Sequence, residues 1–97
     1  MLARQIKSAL STGHLILIVF YQDEGARYEW LEGLIRTHAK RVFEVIRVHI
    51  TDHEEIAFSL NIRRAPSFVL LHRDKELWRQ VGEMTEKEFK EMLDDFR

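Results

Sequence analysis

The stretch richest in reactive groups is "YQDEGARYEW", Tyr21 to Trp30. It sets the carboxylates Asp23 and Glu24 beside Arg27 and Tyr28, with Gly25 and Ala26 between them. Two kinds of chemistry suit such a set. One is acid–base work, which needs a carboxyl with a shifted pKa inside a closed pocket. Nothing in the local sequence builds that pocket, and loop solvation accounts for both carboxylates. The other is recognition. Arg and Tyr are residue types favoured at interfaces, and loops on rigid scaffolds commonly carry binding surfaces. A solvated connector with no partner is the plainer alternative.

Other reactive residues are more dispersed. The chain has five histidines, His14, His38, His49, His53 and His72, and no cysteine. His49 and His53 are four apart but straddle a strand end and a helix start, so they do not share a helical face as a metal pair would. "HEE" at 53–55 lacks the second histidine of a zinc-protease helix. Asp52, Glu54 and Glu55 crowd a helix start, where acidic groups suit the dipole. No metal and no cofactor is expected from these residues. Arg63 and Arg64 could meet an acidic partner. Without a basic surplus or an aromatic–basic motif they do not point to nucleic acid.

The absence of cysteine removes disulfide staples, thiolate ligands and dithiol chemistry together. It also favours a reducing, cytoplasmic setting. A net charge of -1 supplies no general attraction to nucleic acid or an acidic membrane. No apolar run is long enough to span a bilayer. The basic start and apolar run of "MLARQIKSALSTGHLILIVFY" lack a small-residue cleavage site, and cleavage after the run would delete a core strand.

These groups need a frame. With 97 residues and no linker, repeat or low-complexity stretch, the reading is one domain over residues 1–97. Leu2, Ile6, Ala9 and Leu10 recur at helical spacing, and Gly13 marks the stop. "HLILIVFY" is a strand without polar alternation, hence covered on both faces. Leu31, Leu34 and Ile35 stripe a helix expected from Tyr28 to His38. "RVFEVIRVHI" is a β-branched central strand. Ile56 and Leu60 mark the inner face of a third helix, and Asn61 is a left-handed stop. "PSFVLLH" and "LWRQV" are strands joined by the turn "RDKE", hence an antiparallel hairpin. Thr85 and Glu88 form a capping box, and Met84 and Phe89 occupy the staple positions around it. Phe89, Met92, Leu93 and Phe96 make the last apolar face. The order is α-β-α-β-α-β-β-α. Strands separated by helices are expected to be parallel.

That order resembles the thioredoxin family, over nearly the whole chain. "LILIVFY" is similar to the strand leading into that family's active site. "SLNIRRAPSFVLLHRDKELWRQVG" resembles its second signature, with Ile62, Arg63, Pro66 and Gly82 at matching places. The extra N-terminal strand of full-length thioredoxins has no counterpart here. The resemblance implies a three-layer α/β thioredoxin-like fold with a central four-stranded mixed sheet and a cis Ala65–Pro66 bond. It also implies that Gly25 and Tyr28 stand where the two reactive cysteines would be. Val19 stands where a buried acid would assist them. Disulfide exchange needs a thiolate and a second thiol, so dithiol oxidoreductase activity is excluded.

The resulting expectation is a non-redox domain that binds a protein or extended peptide. Its surface would comprise Asp23, Glu24, Gly25, Ala26, Arg27, Tyr28, Ala65, Pro66 and Ser67, with strand-like backbone pairing at Ala65. Two other readings stay open: a chaperone or assembly scaffold, and an enzyme of non-dithiol chemistry using Tyr21 or Tyr28. Trp78 is expected to cover one face of the outer strand, and Trp30 to be covered by a neighbouring helix or loop rather than to form an interface. Arg79 is expected to blunt pairing at an outer strand.

Overall fold

The computed structural model describes residues 2–23, 27–39 and 41–96. Glu24, Gly25 and Ala26 of the expected surface lie outside these described residues. The elements run in order α1 (Leu2–Leu10), β1 (Leu15–Tyr21), α2 (Leu31–His38), β2 (Phe43–His49), α3 (Glu54–Ser59), β3 (Ser67–His72), β4 (Lys75–Val81) and α4 (Glu86–Asp95). The sheet order is β2-β1-β3-β4.

The uninterrupted apolar character of β1 follows from its place. It is central, and Leu15 to Phe20 are all buried. Its side chains alternate between two cores. Leu15, Leu17 and Val19 join Leu31, Leu34, Phe68, Phe89 and Leu93 under α2 and α4. Ile16, Ile18 and Phe20 join Ala9, Ile56, Ala57 and Ile62 under α1 and α3. One strand thus supplies both layers because its period is two residues.

Three sequence expectations change. First, β1 and β2 are parallel, but β3 runs antiparallel to β1 although a helix precedes it. The chain does not travel back along the sheet between β2 and β3. Phe20, near the end of β1, pairs with Val48 of β2 and with Ser67, the first residue of β3, so β3 starts at the end of the sheet where β2 stops. Asn61 stands between α3 and β3 at φ 58°. Second, α2 begins at Leu31 rather than Tyr28, because Tyr28 has φ 58° and cannot belong to a right-handed helix. Third, β4 begins at Lys75, so the hairpin turn is shorter than "RDKE", with Arg73 at φ 57°.

The end of the chain follows its local signals. The Thr85 hydroxyl accepts from the Glu88 N–H (3.2 Å), and the Glu88 carboxylate accepts from the Thr85 N–H (2.8 Å). Met84 and Phe89 are both buried, as a staple requires. Trp78 packs against the core beneath α2 and α4.

Candidate functional site

The segment after β1 and the turn before β3 meet at one end of the sheet. Phe20 pairs with Ser67 across the β1–β3 ladder. Tyr21, Gln22, Asp23, Ala65, Pro66 and Glu83 together line a cavity of about 360 Å³. A second cavity, of about 620 Å³, continues from it through the shared residues Gln22 and Ala65. Its walls include Arg63, Arg64, Glu54, Glu55 and Phe58. Phe58 is 86% exposed, a large apolar side chain left in water at the groove margin.

The turn is held by neutral hydrogen bonds. The Ser67 hydroxyl, fully buried, donates to the Arg64 carbonyl (2.6 Å). The Gly82 N–H donates to the Pro66 carbonyl (2.8 Å). Gly82 has φ 101°, a conformation suited to glycine. The Ala65–Pro66 peptide bond is cis. Among the described residues, Ala65 itself enters no backbone hydrogen bond. Ala65 lines both cavities.

The loop is held differently. Arg47 on β2 donates from Nε to the Arg27 carbonyl (2.8 Å) and from Nη2 to the Tyr28 carbonyl (2.9 Å). The same guanidinium forms a two-point ion pair with Glu32 on α2, with Nη2 at 2.9 Å from Oε2. These bonds hold the Glu32 carboxyl below its ordinary value, against the opposing effect of burial. Tyr28 in the left-handed region costs about 1 kcal/mol for a residue with a Cβ, and the Arg47 bonds on either side of that residue offset the cost.

Tyr28 does not point outward as an interface residue would. Its ring meets Phe68 edge-on (5.0 Å between centroids), with Trp30 at 5.8 Å and Phe89 at 6.2 Å. Burial pushes its phenol above the ordinary tyrosine value, and a backbone hydrogen bond from Met84 acts the other way. A tyrosine activated as a phenolate would need the opposite net direction. Arg27 stands over the Tyr21 ring at 5.1 Å and pairs with Glu29 at 3.4 Å. Trp30 remains 39% exposed while packing against Phe89. It is therefore exposed, against the expectation that a neighbouring helix or loop covers it.

Arg47 and Glu32 are the residues that sequence reasoning missed. The available signal was a lone arginine inside the apolar strand "FEVIRVH". A charge at such a place is paired when it is buried. The histidines are dispersed as expected, and no group of three or more metal-ligating side chains occurs among the described residues. No helix among them is long and apolar enough to cross a membrane.

No protein-family model matches the chain, and no curated protein sequence matches it. Its structure is similar to solved thioredoxins. A point mutant of thioredoxin from Halobacterium salinarum is 20% identical, with TM-score 0.75, covering 96% of this chain and 83% of that one. A mutant thioredoxin from Entamoeba histolytica is 24% identical, with TM-score 0.75 and coverage of 96% and 92%. The germline-specific thioredoxin Deadhead from Drosophila melanogaster is 20% identical, with TM-score 0.77 and coverage of 98% and 90%. At these identities the likeness establishes the fold. This chain has the thioredoxin fold and no cysteine.

Proposed function

We propose that this domain binds a protein or extended peptide, without redox chemistry, at the surface formed by Asp23–Tyr28 and Ala65–Ser67. The observation that carries the reading is the unpaired Ala65 backbone at the rim of a groove. An extended chain laid there gains main-chain hydrogen bonds at Ala65, which is recognition by strand addition. It then runs past Arg63, Arg64 and the exposed Phe58 along the adjoining cavity. Asp23, Ala65 and Pro66 supply contact. Arg27 and Tyr28 act mainly through their carbonyls and packing, so their part is to shape the surface. No thiol takes part, since the chain has none.

The test is selection from a displayed random-peptide library, followed by titration of the isotope-labelled protein with a selected peptide. The expected result is a shift of the Asp23, Ala65 and Ser67 amide signals, and loss of binding in a folded Ala65→Arg variant. Binding that survives Ala65→Arg, or shifts confined to another face, overturns the reading.

A further inference from the structure

The sheet has two margins, β2 and β4. β4 is protected against pairing. Its register with β3 is irregular between Leu70 and Leu71, and Lys75 and Glu76 are exposed. Arg79 is committed to Glu76 and to the Leu60 carbonyl (2.8 Å). Irregularity and charge of this kind are what keep an edge from recruiting another strand. β2 lacks them. Its seven residues pair with β1 in unbroken parallel register.

Two hydrogen bonds at the ends of that ladder show which way the β2 backbone points. The Leu15 N–H donates to the Val42 carbonyl (3.0 Å), and the Ile50 N–H donates to the Tyr21 carbonyl (2.8 Å). In a parallel ladder this alternation assigns Glu44, Ile46 and Val48 to β1. Phe43, Val45 and Arg47 therefore direct their N–H and C=O groups away from the sheet. Beside this margin, between α1 and β2, lies a cavity of about 460 Å³ lined by Gln5, Ser8, Thr12, Glu44 and their neighbours. Glu44 Oε2 is buried without a hydrogen-bond partner among the described residues. His14 Nδ1 lies 3.9 Å away, an ion-pair contact, and the Glu44 side chain is 41% exposed.

We propose that the outer margin of β2 accepts one added strand from a partner: an extended segment with a basic residue facing Glu44 and aliphatic residues at the alternate positions. The backbone of that segment pairs with Phe43, Val45 and Arg47. Its lysine or arginine meets the solvent-exposed part of the Glu44 carboxylate, and its aliphatic side chains cover the half-buried Phe43 and Val45 on the other face. Arg47 already has Glu32, so that face makes no further charge demand. This site lies along the margin of β2 and does not depend on the Ala65 groove.

The test uses two blocked peptides long enough to span β2, one alternating lysine with valine and the other glutamate with valine. Amide hydrogen exchange is read by NMR. The lysine peptide slows exchange at Phe43, Val45 and Arg47 by about tenfold or more and leaves β4 unchanged, and the glutamate peptide does not. Glu44→Lys reverses the preference. Val45→Pro removes an outward N–H but no bond to β1, and loses the lysine peptide while the fold persists. The proposal is overturned if an excess of the lysine peptide slows none of these amides, or if Glu44→Lys leaves the preference unchanged. It is also overturned if the three amides are already slow in peptide-free protein in proportion to its concentration, since a second copy would then occupy the edge. None of these results touches the Ala65 groove, which is read at Asp23, Ala65 and Ser67.

Discussion

The segment after β1 reaches the cavity with Gln22 and Asp23, and the turn before β3 reaches it with Ala65 and Pro66, yet different forces hold residues 27–28, further along that segment, and residues 64–67. Residues 27–28 are fixed by a charged guanidinium that reaches across from β2 and is itself fixed by Glu32. Residues 64–67 are fixed by a hydroxyl and a backbone amide, both neutral. Charge-assisted bonds are roughly twice as strong as neutral ones, but they depend on ionisation. One wall of the candidate site is therefore stronger and pH-sensitive, and the other is weaker and insensitive.

Phe68 supports both walls, since it carries the Tyr28 ring and follows Ser67 in β3. Phe68→Ala should destabilise the protein by about 3–5 kcal/mol, measured by urea unfolding. A loss below about 1 kcal/mol would mean that the aromatic cluster is not what anchors the loop. Arg47→Ala is expected to cost about 2 kcal/mol. That is less than for a fully buried pair, because the Glu32 side chain is 40% exposed. It should also shift Trp30 fluorescence, since Trp30 packs on Tyr28. Ser67→Ala, which removes one neutral bond, should cost about 1 kcal/mol and leave Trp30 fluorescence as it was. Equal fluorescence changes in the two variants would erase the distinction between the walls.

The smallest effect expected is on pH dependence. The folded-state pKa of Glu32 lies below its ordinary value of 4.5, so the unfolded chain takes up the proton first. The stabilisation is present above 4.5 and is lost as pH falls from there through the depressed folded value. Glu76 and Glu88 are also lowered, so overall acid unfolding will not isolate the clamp. The difference between wild type and Glu32→Gln does. The two stability curves should converge as Glu32 protonates, and curves that stay parallel would show that the carboxylate charge contributes nothing. In Ser67→Ala the difference from wild type should stay constant over the same range.

Much of the frame was legible from local signals. The T-x-x-E box of α4, the apolar run of β1 and the stop at Asn61 each depend on residues within a turn or two of each other. The candidate surface was legible in part: Asp23, Ala65 and Pro66 do meet at one cavity. The inward turn of Tyr28 was not, because its partners Phe68 and Phe89 lie far along the chain. Arg47 was missed for the same reason. Its acceptors at Arg27 and Tyr28 are 20 and 19 residues away, beyond the reach of any periodicity.

By itself, then, the chain's sequence determined the order of its elements, the burial of β1 and the loss of dithiol chemistry. Composition, spacing and the absence of one residue type settle such matters without reference to distant neighbours. Only the tertiary structure decided the direction of β3, the clamp on the loop and the bare margin of β2. Each of these depends on which distant residues meet, and on which backbone groups remain unpaired, once the strands have been laid side by side.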